Sequence, residues 1–218
     1  AWSGNPMKFP RIQGADCCGQ ITSVGSAIDP ARIGERVLVR TMQEPLSVDG
    51  DLIPITLGSE IDGAFAEYLS VRGSEAFVID SPLDDADLAS FPCSYSTAEG
   101  LLQRAQVGAE RVLITGASGG VGSAAVQLAA MRGASVVAGT TGAHADDVKR
   151  IGAADTIDRA SDLVDQLGDS SIDVVIDLVG GPHFESLLRV LRPGGRYAIA
   201  GAVAGAHVAL DLRDLYLK

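Results

Sequence analysis

The sequence predicts an α/β protein in which a doubly wound parallel sheet follows a β-rich N-terminal domain. From Ser96 onward, short apolar runs rich in Val, Leu and Ile alternate with helical runs, as in a parallel sheet covered by helices on both faces. Residues 1 to about 94 instead hold short strand-like runs separated by turn residues. We therefore predict two domains, residues 1–94 and 95–218.

The N-terminal domain has several strand-like segments. They are rich in β-branched or alternating apolar residues and occupy positions 18–25, 36–40, 64–71 and 76–79. The segment between Met42 and Asp62 contains Gly, Pro and Asp with little periodicity, so we predict a loop there. Acidic residues open a short predicted helix at positions 84–91.

The second domain alternates helices and strands. The predicted strands are apolar runs at positions 111–115, 135–137, 154–157, 173–179 and 196–201. The predicted helices occupy positions 98–105, 123–131, 146–151, 161–167 and 184–191, and Pro193-Gly-Gly stops the last one.

A turn of small residues joins the strand at 111–115 to the helix that follows it. Ala117, Gly119 and Gly122 fill the G-x-G-x-x-G frame with Ala in the first position, and a second strand follows. Small residues let backbone N–H groups approach a pyrophosphate, and the helix N-terminus adds partial positive charge. The pattern predicts a Rossmann-type dinucleotide site formed by Ala117, Ser118, Gly119, Gly120, Val121 and Gly122. A tight turn without a ligand is the alternative.

Composition and charge narrow the choice of partners. The chain is 46% hydrophobic and 21% charged, as in ordinary globular proteins. Its net charge of −11 disfavours a broad nucleic-acid or anionic-membrane surface. No apolar run approaches the ~20 residues of a membrane span. We therefore expect neither nucleic-acid nor membrane partners. Three cysteines do not make a disulfide framework, so we expect a cytoplasmic protein.

Five short motifs follow one another in a family order along the chain. They are GADCCG at 14–19, GERV at 34–37, GAFAEY at 63–68, YSTA at 95–98 and TGASGGVG at 115–122. With them the chain resembles the medium-chain dehydrogenase/reductase superfamily, which contains zinc alcohol dehydrogenases and zinc-free quinone reductases. The resemblance implies a GroES-like N-terminal domain, a nicotinamide cofactor and a small carbonyl, alkene or alcohol as substrate.

The resemblance also implies missing parts. Family members start some tens of residues earlier and continue beyond Lys218 with a sixth strand and further helices. We therefore expect a partial GroES-like domain and a Rossmann domain without its last strand. Because the sixth strand commonly forms the dimer contact in relatives, we expect the longer protein to be a homodimer.

A catalytic zinc ion needs three protein ligands, usually His, Cys or carboxylate. By resemblance, the His of the family's Gly-His-Glu motif is replaced here by Ala15, which cannot bind metal, and Cys93 falls at a later ligand position. Asp16 is a possible substitute ligand. We predict a zinc-free protein in which Cys93 is a small apolar residue beside the cofactor cleft, and a zinc enzyme with unusual ligands is the alternative.

The end of the second strand decides the choice between NAD and NADP. NAD sites usually place an acidic residue there, about 20 residues past the glycine turn, but the first acid here is Asp146 in the next helix. Hydroxyls and a partly cationic imidazole suit a 2′-phosphate. We therefore favour NADP(H), held by Thr140, Thr141 and His144, over NAD(H). Lys149 and Arg150 are weaker candidates. Alternatively, the two threonines cap the helix and His144 is solvated.

The remaining site residues follow from topology and resemblance. Ligands of open α/β sheets lie beyond the carboxyl ends of the strands. By resemblance, the backbone after the fourth and fifth strands holds the nicotinamide, and Thr97 lies close to it. This gives Val179, Gly180, Gly201 and Ala202 as candidates, although the glycines could equally be plain element boundaries. Cys93 and Tyr95 are weak catalytic candidates, and packing is the other role for Tyr95.

The expected activity is hydride transfer from NADPH to a small carbonyl, enone or quinone without zinc. Two other functions stay open at the level of sequence: a zinc alcohol dehydrogenase with atypical ligands, and an NADP(H)-binding redox sensor or structural protein without turnover. The glycine turn is compatible with all three, because each of them binds the dinucleotide.

Overall fold

The computed structural model describes residues 6–48 and 51–217. The chain divides into two compact units, and the division falls between Cys93 and Ser94. Among the described residues, no helix combines the length and the apolar character that a membrane crossing requires.

The first unit contains a three-stranded antiparallel sheet in the order β1–β2–β5 and a separate two-stranded hairpin, β3–β4. Val37 and Val39 of the central strand are buried, as are Ile55 and Leu57 at the end of the hairpin. The elements are β1 Cys18–Gln20, β2 Arg36–Val39, β3 Met42–Val48, β4 Asp51–Thr56, β5 Ala76–Val78 and α1 Asp85–Ala89.

Two predictions for the first unit are wrong. The segment at 42–62 is not a loop, because most of it forms the β3–β4 hairpin, whose register shifts between Gln43 and Leu46. The segment at 64–71 forms no strand, since its alternating residues do not face a core: Phe65 and Tyr68 are 80% and 71% exposed. Instead, isolated backbone hydrogen bonds fix the start of this segment. For example, the Ala64 N–H donates to the Gly14 carbonyl at 3.0 Å.

A buried carboxylate holds the hairpin beside the antiparallel sheet. Glu75 is 1% exposed, and one of its oxygens accepts the backbone N–H of Glu44 in β3 at 2.9 Å. The guanidinium groups of Arg40 and Arg72 lie 3.4 and 3.3 Å from its two oxygens. Because burial of an unpaired charge is costly, these two partly exposed cations make the position tolerable for a carboxylate.

The second unit contains a five-stranded parallel sheet in the order β10–β9–β6–β7–β8. The chain moves outward from β6 to β8, returns to the other side of β6, and moves outward again to β10. This reversal places a topological switch point between β6 and β9. The strands are β6 Arg111–Thr115, β7 Ser135–Thr140, β8 Asp155–Asp158, β9 Ile172–Asp177 and β10 Leu191–Ile199.

Helices cover both faces of this sheet. Val112 and Ile114 of β6 belong to one core cluster, with residues of α2, α3 and α4, whereas Leu113 belongs to the other, with residues of α5 and α6. Alternate side chains of a buried strand point to opposite faces, which explains the uninterrupted apolar runs. The helices are α2 Phe91–Arg104, α3 Gly120–Met131, α4 Ala145–Arg150, α5 Leu163–Leu167, α6 Phe184–Val190 and α7 Leu212–Leu217.

The predicted elements of the second unit occur in the predicted order, and α7 is an additional helix that was not predicted. Several boundaries are shifted, and the starts of α2 and β10 are shifted most. Helix α2 begins at Phe91 rather than Ala98, because Pro92 stands at a helix start, where a proline needs no hydrogen-bond donor. Strand β10 begins at Leu191 rather than Arg196, since the Pro193-Gly-Gly segment lies in a register shift within the strand.

Candidate dinucleotide site

The glycine turn between β6 and α3 brings two stretches of backbone into direct contact. A Cβ atom added to Gly122 would lie 2.1 Å from the Gly116 carbonyl oxygen and 2.7 Å from the Ala117 Cα. Gly116 itself has φ +61°, in the left-handed region that favours glycine. Ala117 and Gly122 are buried, while Ser118, Gly119 and Gly120 are exposed on the outer side of the turn. The turn is therefore a compact cradle with an accessible rim.

The accessible rim is also the start of α3. Gly119 precedes the helix, and no side chain caps the helix N-terminus. The first N–H groups of an α-helix have no acceptor within the helix, and the helix dipole makes them attractive to an anion. This edge of the turn therefore has the donors and the open backbone that a pyrophosphate requires.

The start of α2 lies against the same turn. A Cβ on Gly120 would come within 2.9 Å of the Ser94 hydroxyl oxygen, so a larger residue at Gly120 would clash with that side chain. The candidate Thr97 lies one helical turn after Ser94, on the same side of the helix, and is half-buried. Tyr95 packs against the core of the second unit, which is the packing role that the sequence left open.

The segments after β9 and β10 touch each other through backbone. The Ala204 N–H donates to the Val179 carbonyl at 3.0 Å, and a Cβ on Gly201 would lie 2.0 Å from the Leu178 carbonyl oxygen. Gly180 has φ +65°, and its added Cβ would lie 3.2 Å from the Cα of Ala202. The structure thus brings together the four candidates Val179, Gly180, Gly201 and Ala202, and the glycines are required there by close approach.

The proposed phosphate ligands at the end of β7 differ in how exposed their side chains are. Thr140 is 3% exposed, and its hydroxyl has no hydrogen-bond partner among the described residues, so that oxygen is not presented to solvent. Thr141 is half-buried at the start of the following turn, and the His144 side chain is 54% exposed. Neither threonine side chain caps the helix: no side-chain cap is present at Thr141 or at the start of α4.

Carboxylates share the surface around His144. Its Nδ1 lies 3.6 Å from Asp147, and the same carboxylate pairs with Arg150 at 3.1 Å. Both groups are exposed, so these ion pairs are weak and an anionic ligand can compete for the cations. Lys149 is also exposed on α4.

The structure adds one cation that the sequence analysis missed. Arg159 follows β8, and its backbone N–H donates to the Thr140 carbonyl at 3.0 Å, which places it beside the end of β7. It is exposed, and its guanidinium forms no ion pair or hydrogen bond within the described part of the chain. Its position could be found only from the pairing of Thr140 with Asp158 across the parallel strands.

Two zinc-ligand candidates meet in the first unit. Asp16 accepts the backbone N–H of Cys93 at 2.6 Å, so its carboxylate lies next to that residue. Within residues 6–48 and 51–217, no group of three or more His, Cys, Asp or Glu side chains is arranged to hold a metal ion. The described residues therefore do not make up a three-ligand zinc site, and Ala15 adds no ligand.

Comparisons with known proteins agree with this architecture. A model for the alcohol dehydrogenase GroES-like domain matches residues 1–82, and a model for zinc-binding dehydrogenases matches residues 120–218. The chain belongs to the medium-chain dehydrogenase/reductase superfamily. Its structure resembles that of a candidate alcohol dehydrogenase from Sinorhizobium meliloti 1021, with TM-score 0.89, 46% identity, and coverage of 98% of this chain and 61% of the other.

Two curated relatives are named for reactions of acryloyl-coenzyme A and of alkenals or alkenones. The acryloyl-coenzyme A reductase of Metallosphaera sedula is 32% identical over 90% of this chain and 62% of the relative. The NADPH-dependent alkenal/one oxidoreductase of Arabidopsis thaliana chloroplasts is 30% identical over 89% of this chain and 48% of the relative. The chain thus spans about half to three fifths of the length of these relatives.

Proposed function

We propose that this medium-chain dehydrogenase/reductase is an NADPH-dependent oxidoreductase that reduces a small carbonyl, enone or quinone without zinc. The observation that carries the proposal is the glycine cradle, in which Gly122 packs on Gly116 and the uncapped start of α3 faces outward. A cradle of this kind fits a dinucleotide pyrophosphate, and the bound nicotinamide would supply hydride transfer. The names of the two curated relatives support a substrate with a carbonyl-conjugated alkene.

The preference for NADPH rests on the surface at the ends of β7 and β8. Thr141 and His144 come from the segment after β7, and Arg159 comes from the segment after β8. A guanidinium recognises phosphate by paired hydrogen bonds, whereas a carboxylate at the end of β7 would repel it. We therefore assign the 2′-phosphate to these three residues, with Arg159 as the strongest contact, and leave the buried Thr140 hydroxyl out of the set.

We leave zinc out of the proposal because of the side chains that are available as metal ligands. The Asp16 carboxylate is engaged by the Cys93 backbone, and Ala15 stands where relatives carry the histidine. The contact between Asp16 and Cys93 is also the one observation that favours the alternative, a zinc alcohol dehydrogenase with atypical ligands. Metal analysis of protein purified without chelator separates the two, since zinc bound in equimolar amount would support the alternative.

The first experiment is a titration with NADPH and NADH followed by nicotinamide fluorescence. We expect NADPH to bind at least roughly tenfold more tightly, which is about 1.4 kcal/mol. Arg159→Gln should reduce this preference and leave NADH affinity unchanged. Arg104→Gln is the matched control, because Arg104 is an exposed arginine in the last turn of α2, before the N-terminal end of the central strand β6, whereas Arg159 follows the C-terminal end of β8. Equal binding of both cofactors by the wild type would overturn the assignment.

Turnover is then tested with an enone, a quinone and an aldehyde, each in the presence of NADPH. Oxidation of NADPH by the enone or quinone in metal-free protein is the expected result. Tight NADPH binding without oxidation by any of the three would contradict the proposal and favour a non-catalytic dinucleotide-binding protein.

A further inference from the structure

A carboxylate lies buried at the end of β9, and no cation of the described residues pairs with it. Asp177 is the last residue of the strand and is 0% exposed. Its Oδ1 accepts the Thr115 hydroxyl at 2.6 Å, the Val179 N–H at 2.9 Å and the Gly180 N–H at 3.1 Å. The Tyr197 hydroxyl donates to Oδ2. All of these partners are neutral hydroxyl or backbone donors.

The hydroxyl groups around Asp177 are themselves held in place. The Thr115 oxygen accepts the Leu178 N–H at 2.9 Å, so its proton points toward Asp177. The Tyr197 ring packs edge-on against Phe184, with centroids 5.4 Å apart. Burial and the nearby carboxylate both raise the pKa of Tyr197, so its hydroxyl stays a donor at neutral pH. The network therefore ties the carboxyl ends of β6, β9 and β10 together.

This network fixes the conformation of the loop that follows β9. Three consecutive backbone N–H groups, from Leu178 to Gly180, are bound by Thr115 and Asp177. The loop then contacts the segment after β10 through the Val179 carbonyl. In a doubly wound sheet the two halves of a dinucleotide lie on either side of the switch point, so this loop faces the half that does not contain the adenine ribose at β7.

We propose that Asp177 is a positioning residue for the nicotinamide half of the cofactor, acting through the Leu178–Gly180 backbone that it orients. This inference rests on the proposed dinucleotide function. Asp177 accepts hydrogen bonds at fixed points and thereby holds the loop in its bound conformation before the ligand arrives, which lowers the ordering cost of binding. Asp177 has no role in holding the adenine half.

The test compares two ligands that share the adenine half. NADPH carries the nicotinamide, and 2′,5′-ADP lacks it; the first is followed by fluorescence and the second by calorimetry. We expect Asp177→Ala to weaken NADPH roughly tenfold or more, while 2′,5′-ADP changes by less than about twofold. Asp177→Asn should recover part of the loss, because its amide oxygen can take the place of Oδ1. Thr115→Val, which removes one link of the network, should give an intermediate loss.

Asp173→Ala is the matched control, since Asp173 lies at the other end of the same strand and also accepts a backbone N–H, that of Arg111 at 2.8 Å. It should leave both affinities unchanged. Equal weakening of both ligands by Asp177→Ala, or no weakening of NADPH by either Asp177→Ala or Thr115→Val, would contradict the inference alone. A wild type that binds neither ligand would contradict the dinucleotide site itself and the inference with it.

Discussion

Thr115 and Thr140 are the last residues of neighbouring parallel strands. Among the described residues, the Thr115 hydroxyl makes hydrogen bonds and the Thr140 hydroxyl makes none. The Thr115 oxygen accepts the Leu178 N–H, and its proton goes to Asp177. The Thr140 oxygen is buried and makes no hydrogen bond with the described residues. The same residue type thus stabilises the fold at one position and carries a desolvation cost at the other.

The first prediction uses this contrast. Thr140→Val should leave the free energy of unfolding of the ligand-free protein unchanged or raise it by up to about 1 kcal/mol, because it removes a buried hydroxyl without a partner. Thr115→Val should lower it by about 1–3 kcal/mol, since the Leu178 N–H loses its acceptor and the buried Asp177 carboxylate loses one of its donors. Urea denaturation of both variants measures the difference. Equal destabilisation by the two substitutions would show that the Thr140 hydroxyl has a partner in solution.

The second prediction concerns the glycine cradle. Gly122→Ala would place a methyl carbon 2.1 Å from the Gly116 carbonyl oxygen, so the start of α3 must move. We expect unfolding free energy to fall by about 1–3 kcal/mol, as for other overpacked sites, and NADPH binding to weaken at least roughly tenfold. The measurements are urea denaturation and nicotinamide fluorescence.

Gly100→Ala is the control for that substitution. Gly100 lies inside α2, and its added Cβ would meet nothing within 4 Å. Alanine should therefore stabilise the helix by about 0.5–1 kcal/mol and leave NADPH affinity unchanged. If Gly122→Ala behaved like Gly100→Ala, the close packing of the cradle would not matter for binding.

The third prediction concerns Glu75. Glu75→Gln removes the buried charge that Arg40 and Arg72 share, while its amide oxygen can still accept the Glu44 N–H. We expect the free energy of unfolding to fall by about 1–3 kcal/mol, because two cations lose their partner in a partly buried site. Chemical denaturation followed by circular dichroism measures it.

An exposed ion pair supplies the comparison. Glu99 pairs with Arg132 at 2.5 Å on the surface of the second unit, and Glu99→Gln should change the free energy of unfolding by less than about 1 kcal/mol. Equal effects of the two Glu→Gln substitutions would mean that burial of Glu75 contributes nothing.

The fourth prediction is a pH dependence at Asp173. The backbone N–H of Arg111, with help from Arg192, holds the pKa of Asp173 below its usual value. Because this carboxylate titrates lower in the folded than in the unfolded protein, where its pKa is about 3.9, its stabilisation is present above about pH 4 and is lost as the pH falls through the folded value. Asp173→Asn should therefore cost stability at neutral pH, and the difference from wild type should shrink below about pH 4. A difference that stayed constant to the lowest pH measured would contradict this.

The sequence predicted the second unit well because its signals are local. A strand such as β6 is an unbroken apolar run, and the glycine spacing around Gly119 identifies the turn that follows it. The network at Asp177 could not be predicted, because its partners are 62 and 20 residues away in the chain. Only the pairing of β6, β9 and β10 brings them together.

The hairpin in the first unit was missed for a different reason. Pro45 and Pro54 lie within β3 and β4, and proline normally argues against a strand because it cannot donate to the ladder. Here the register shift between Gln43 and Leu46 accommodates Pro45, and a two-stranded hairpin leaves one side of each strand without a pairing requirement. Arg159 was missed because its neighbour Thr140 is adjacent in the sheet and not in the sequence.

The contact between the segments after β9 and β10 has a consequence for divergence within the superfamily. Its closest approaches involve backbone atoms of Leu178, Gly180, Gly201 and Ala202, so this part of the proposed site consists largely of peptide groups. Peptide groups offer the same donors and acceptors whatever side chains surround them. Substitutions in these two segments therefore change few of the groups that a ligand would meet there. New substrate specificity has to arise from side chains elsewhere in the protein.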